Sequence, residues 1–222
     1  MCEELIKGGY ERRKPEIEAK LEEFHWRGLE SSDEELFVEL CHRICSSKTN
    51  FNYVKNALTE LRQAGLLFSG DIGEIAKCLK KHAVRFHNKK AQQIVEARSE
   101  FLGEDPKISL KLIIEVLRGK DSLERRQLLR KGMKGFGLGW KQASEFLRNL
   151  GLGSDYAILD SRILGWLKRC GKIKEIPKGL TKRKYLEIEG IVRGWAEDMG
   201  IPLDELDLLL WSLNKAQFSK PL

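Results

Sequence analysis

The chain has 222 residues, 41% hydrophobic and 33% charged, the ordinary balance of a soluble globular protein with a real core. Its formal net charge is +7, no apolar run reaches the roughly 18 residues of a membrane helix, and the charged start MCEELIKGGYERRKPEIEAK does not read as a signal peptide. The five cysteines are odd in number, scattered and without a CxxC pair, so neither a disulfide framework nor a structural metal is expected, and the protein is read as cytoplasmic, intracellular and without a membrane partner.

Taken in chain order, apolar residues recur at helical spacing. PEIEAKLEEFHWRGL (15–29), DEELFVELCHRIC (33–45), FNYVKNALTELRQAGLL (51–67), DIGEIAKCLKKHA (71–83) and KKAQQIVEARSEFL (89–102) each carry an amphipathic stripe. Asp33, preceded by two serines and followed three residues on by Leu36, marks a helix start. Further helices are expected near 108–118, 121–131, 141–150, 160–170, 181–199 and 204–215, and strand-like alternation is nearly absent. The expected fold is all-α: one unit over 1–222, with two helical lobes and a cleft between them. Residues 33–152 form the central lobe with a helix-hairpin-helix stretch, and 1–32 with 153–222 form the terminal lobe.

Charge is unevenly spread. Residues 117–148 hold nine Lys/Arg against three acids, and 159–184 hold nine against two, so the remainder is acidic. A basic middle suits a surface facing a polyanion; solvated helix faces would look the same on charge alone.

Between the helices near 121–131 and 141–150 runs GFGLG, with Gly135, Gly137 and Gly139 at alternate positions. Such a turn can reach positive φ at Gly137 and Gly139 and leaves amides pointing outward at the start of the next helix. That array suits a phosphate, and it equally describes a plain helix–helix connection.

GLGWKQASEFLRN followed by DYAILDSRIL resembles the helix-hairpin-helix DNA glycosylase superfamily, and more narrowly the archaeal-type 8-oxoguanine DNA glycosylase/AP lyases. ELFVELCHRICSSKTNF, RFHNKKAQQIVEAR and LDLLLWSL match in order, so the resemblance spans nearly the whole chain. It implies base-excision DNA repair: a bifunctional enzyme that flips out and excises 8-oxoguanine from double-stranded DNA and cleaves the strand by β-elimination. It further implies a monomer needing no cofactor. By the same resemblance Lys141 is the Schiff-base nucleophile and Asp160 the carboxylate that stabilises positive charge on the sugar. Read from composition alone, Lys141 is an exposed lysine and Asp160 an N-cap of the helix that follows it.

The resemblance assigns DNA contacts to Gly137, Gly139, Trp140 and Asn50, the last in the SSKTNF loop. It assigns the base pocket to Phe86, Leu206, Asp207, Trp211 and Leu222; a buried core aromatic is the plainer reading of Phe86 and Trp211. A backbone carbonyl ahead of Asp207, that of Leu206, would accept the N7–H that distinguishes 8-oxoguanine from guanine. Relatives have proline there. Relatives also end on a lysine whose carboxylate reaches the base, whereas here Lys220 is followed by Pro221 and Leu222, so either the Leu222 carboxylate takes that contact or base recognition differs. Only Cys170 follows residue 78, which excludes the four-cysteine iron–sulfur cluster of other superfamily members. The alternatives are a glycosylase/lyase for another oxidised base and a non-catalytic helix-hairpin-helix DNA-binding module.

Overall fold

The computed structural model describes residues 2–103 and 108–213. Among them are α1 (Cys2–Glu30), α2 (Asp33–Ser46), α3 (Phe51–Gln63), α4 (Leu66–Ser69), α5 (Ile72–Lys81), α6 (His87–Leu102), α7 (Leu110–Arg118) and α8 (Ser122–Gly132). A 3₁₀ turn (Lys134–Phe136) leads into α9 (Trp140–Arg148), followed by α10 (Ser161–Arg169), α11 (Lys182–Met199) and α12 (Leu203–Ser212). No strand occurs among the described residues, as the helical periodicity predicts. The helices gather into two compact units, one of residues 30–146 and one of the described residues up to 29 and from 147 on.

In the unit 30–146, side chains close the helix starts. Ser32 Oγ accepts the Glu35 amide (3.3 Å) while Glu35 takes the Ser32 amide (2.9 Å), and Asp71 and Glu74 repeat this reciprocal pair at the head of α5. The cap of α2 is therefore Ser32, one residue ahead of Asp33. Helix α6 packs on α2 and α5, and α3 packs on the same two. Phe37, Leu40, Leu61, Ile75, Leu79 and Ile94 fill the space between them. Cys41, Cys45 and Cys78 are free and buried, and desolvation pushes the Cys45 thiol up to about 12.

In the other unit, α1 runs back from the expected start at Pro15 to Cys2, with Pro15 inside it. A proline forfeits one ladder bond and crowds the preceding turn. Ile6 and Tyr10 before it and Ile17 and Phe24 after it all bury, which holds both halves in one helix. A Cβ at Gly28 would collide with the Leu150 carbonyl, so only glycine lets α1 lie this close to the chain leaving α9. No disulfide framework was expected from the scattered cysteines, yet this unit holds one disulfide. Cys2 and Cys170, 168 residues apart in sequence, are bonded with their Cα atoms 5.6 Å apart, a separation that such a bond spans. Spacing could not reveal it, because the head of α1 and the end of α10 meet only in the folded unit. No helix among the described residues is long and apolar enough to cross a membrane.

Candidate active site

In the unit 30–146, the glycine stretch forms a tight link between α8 and α9. Phe136 and Leu138 point inward, Phe136 meeting Phe101 edge-on at 5.6 Å, so alternation of large and small residues anchors the turn. Gly137 takes φ 76°, and a Cβ there would come within 2.8 Å of the Gln93 side chain, which itself donates to the Gly135 carbonyl (3.2 Å). The helical ladder of α9 opens with the Ala143 amide on the Gly139 carbonyl (3.0 Å), leaving the amides before it at the positive end of the helix dipole. Trp140 is buried, with Arg126 and Arg130 guanidinium carbons 5.3 and 4.6 Å from its ring centroid. Its indole is a packing element beneath two arginines, so any DNA contact from this residue falls to its backbone.

Lys141 follows in the first turn of α9 and is ion-paired with Glu145, one helical turn on. Glu145 also pairs with the buried Arg43, which holds Glu39 at 3.1 Å on its own helix. Burial works against charge on Arg43, but the two carboxylates outweigh it and lift its pKa above the ordinary guanidinium value. Lys141 is thus held by a carboxylate that is already shared with Arg43.

The same unit carries Asn50 and Phe86. Asn50 caps α3 through its side-chain oxygen on the Asn52 amide (2.9 Å) and is exposed. Phe86 is 54% exposed in a left-handed backbone conformation (φ 59°), with the Lys48 ammonium and the Arg85 guanidinium 5.9 and 5.7 Å from its ring centroid. Core packing, the plainer expectation for this aromatic, is excluded. Elsewhere in the unit Glu60, Cys78 and His82 bring ligand-type atoms within 4.8 Å of one another. The Glu60 carboxylate is taken up there by Lys81 (2.8 Å) and His82 (2.7 Å).

Asp160 belongs to the other unit, at the N-cap of α10. Its Oδ1 accepts the amides of Arg162 (2.8 Å) and Ile163 (3.0 Å). The buried approach Tyr156–Leu159 is held from three sides. Glu189 takes the Ala157 amide (3.2 Å), the Tyr185 hydroxyl donates to the Ala157 carbonyl (2.9 Å) and accepts from Leu159 (3.3 Å), and Asp207 Oδ1 takes the Ile158 amide (2.7 Å). Asp207 is 1% exposed and its other oxygen accepts from Arg148 at 2.6 Å. Leu206 is fully buried in the first half of α12. Trp211 is part-exposed at the end of that helix, with the Arg162 guanidinium 4.8 Å from its ring centroid and bonded to its carbonyl (3.1 Å). Leu222 and the Lys220–Pro221 sequence before it lie outside the described residues.

Residues 17–201 match the family model described as 8-oxoguanine DNA glycosylase. The chain belongs to that family. It is 37% identical over 211 residues to the 8-oxoguanine DNA glycosylase/AP lyase of Thermotoga petrophila, covering 95% of this chain and 94% of that one. The crystal structure of the Thermotoga maritima 8-oxoguanine DNA glycosylase superposes with a TM-score of 0.79 at 36% identity, covering 99% and 100% of the two chains. A Methanocaldococcus jannaschii 8-oxoguanine glycosylase/lyase in complex with 15mer DNA containing 8-oxoguanine gives 0.78 at 33% identity, over 97% and 99%.

For a glycosylase of this family, the residues that sequence reasoning missed are those that hold the expected ones. Glu145 had a readable signal, an acid four residues after a lysine on one helix. The Arg43–Glu145 pair, Tyr185, Glu189 and Arg148 had none, because each of these contacts joins distant parts of the chain.

Proposed function

We propose that Lys141 and Asp160 excise 8-oxoguanine from double-stranded DNA and open the strand at the site left behind. The neutral Lys141 amine attacks C1′ as the glycosidic bond breaks, and the oxidised base departs with the bonding electron pair and takes up a proton. The sugar ring opens to an imine on Nζ, which acidifies the 2′-hydrogen, and β-elimination then expels the 3′-phosphate. Asp160 supplies negative charge where the sugar becomes cationic. Its two capping bonds, with an approach segment pinned by Tyr185, Glu189 and Asp207, give that carboxylate a fixed orientation. The amides ahead of α9, with Gly137 and Gly139, take a DNA phosphate, and Asn50 contacts the strand beside the flipped nucleotide. Phe86 and Trp211 offer flat faces to the extruded base.

The observation that carries this reading is Lys141 in the first turn after the glycine link, in a member of the 8-oxoguanine DNA glycosylase family. The amine supplies the nucleophile, so the chemistry calls for no metal or organic cofactor. One chain carries every residue named, so we take the enzyme to act as a monomer, inside the cell where the DNA lies.

Borohydride trapping on a duplex with a single 8-oxoguanine tests it. A covalent adduct is expected with the unaltered chain and none with Lys141→Gln or an undamaged duplex. An adduct on an abasic site alone would keep the lyase and discard 8-oxoguanine as substrate. No adduct on either duplex would leave a DNA-binding module.

A further inference from the structure

Two turns of the unit 30–146 carry left-handed residues other than glycine: Lys48 (φ 51°) in the link from α2 to α3, and Ala83 (φ 55°) and Phe86 (φ 59°) in the link from α5 to α6. A side chain makes that conformation unfavourable, and for Phe86 burial does not repay it, since the ring is more than half exposed. A cost borne without packing gain, on an aromatic flanked by two cations, marks a surface held ready for something outside the chain.

What holds it is a buried lysine and a hydroxyl. Lys90, in α6, is 3% exposed, and its ammonium spends three protons on the Cys45 carbonyl (2.8 Å), the Ser47 carbonyl (2.8 Å) and Thr49 Oγ1 (3.0 Å). Desolvation pulls the Lys90 pKa below the ordinary lysine value, the neighbouring Arg85 adding to the effect and Cys45 opposing it. Thr49 Oγ1 sits between the two turns: it donates to the Ser47 carbonyl (3.2 Å) and accepts from Lys90 and from the Arg85 amide (3.2 Å).

We propose that Thr49 and Lys90 are positioning residues for base excision: through one hydroxyl they lock the Lys48 turn to the Arg85–Phe86 turn, so that Phe86 meets the extruded base in a pre-set pose. This rests on the reading of Phe86 as a stacking face. Locking the turns before DNA arrives removes an ordering cost from the step in which the base is seized. Strand cleavage at a site that has already lost its base has nothing to stack and does not draw on that lock.

The test compares excision from a duplex with one 8-oxoguanine against strand cleavage of the same duplex with one abasic site, under single turnover. Thr49→Val removes the hydroxyl and keeps the shape. The ratio of excision to abasic cleavage is expected to fall about fivefold, the rate equivalent of one hydrogen bond of about 1 kcal/mol. Thr49→Ser, which restores the hydroxyl, returns the ratio. If the valine variant does not fold, Thr49→Ala gives the same comparison. Equal losses on both duplexes, or an unchanged ratio, would overturn the proposal and leave Thr49 a stability residue. If the unaltered chain cleaves neither duplex, or Lys141→Gln still cleaves both, the proposed function itself fails and this inference with it.

Discussion

Asp207 was expected against the extruded base, yet the structure spends both its oxygens inside one unit, on Arg148 (2.6 Å) and the Ile158 amide (2.7 Å). Asp207→Asn separates the two roles. Asparagine keeps an oxygen for Ile158 but sets a neutral amide against a guanidinium whose side chain is 9% exposed. Arg148 keeps Asn149 (3.3 Å) and the Phe24 ring (5.6 Å), neither of which carries a negative charge. Removing one partner of a buried ion pair costs about 3–5 kcal/mol. At about 2–4 °C per kcal/mol for a chain of this size, the melting temperature should fall by about 10 °C. Asp207→Ala should cost more, because the Ile158 amide then loses its acceptor as well, for about a further 1–3 kcal/mol. Thermal and urea unfolding followed by circular dichroism at low and high salt is the assay. Burial shields the pair, so the difference should persist in salt. The reasoning is refuted if Asp207→Asn melts with the unaltered protein while 8-oxoguanine excision is lost: Asp207 would then belong to the base pocket and its contacts here would be incidental.

Other consequences follow from single contacts. Burial raises the Asp204 carboxyl above its ordinary value, with Glu205 and Asp155 adding to the shift and backbone amide bonds opposing it. The folded chain keeps that proton to higher pH than the unfolded chain, so this group removes stability as pH rises above the ordinary carboxylate range; Asp204→Asn should raise the melting temperature at about pH 7 and leave it unchanged near pH 3. Gly137→Ala puts a Cβ at φ 76° and within 2.8 Å of Gln93, so it should cost about 1–2 kcal/mol in unfolding experiments and weaken duplex binding by fluorescence anisotropy. Reducing Cys2–Cys170, which closes a loop of 168 residues, should remove up to about 5 kcal/mol of stability; a scan with and without dithiothreitol measures it, and the intact mass of the oxidised chain should lack two hydrogens.

The helices were legible because their apolar positions repeat within one segment: α2, α3, α5 and α6 fall close to the expected stretches, and the glycine link sits between the two helices expected to flank it. The first half of α1 was not, because a charged segment ahead of a proline reads as a lead-in until Ile6 and Tyr10 find a core to enter. At the site, residue identities were legible and their environments were not. The resemblance named Trp140 as a DNA contact, and nothing in the string shows that Arg126 and Arg130 stack on its ring from α8. The resemblance named Asp207 as a base contact, and nothing in the string shows that its partner Arg148 lies 59 residues away.

The two outcomes on α6 show why motif and role part company. RFHNKKAQQIVEAR is recognisable as a string, and it places Lys90 and Gln93 three apart, hence on neighbouring positions of one helix face. Nothing in the string says that Lys90 reaches the Ser47–Thr49 turn while Gln93 reaches Gly135 in the glycine link. One helix therefore carries both the support for the proposed base-stacking turn and the support for the proposed phosphate clamp. A substitution that moves α6 along its axis should disturb both elements together, whereas Thr49→Val should disturb the first alone. That difference in reach, set by partners more than forty residues away, is what a linear reading of the motif cannot supply.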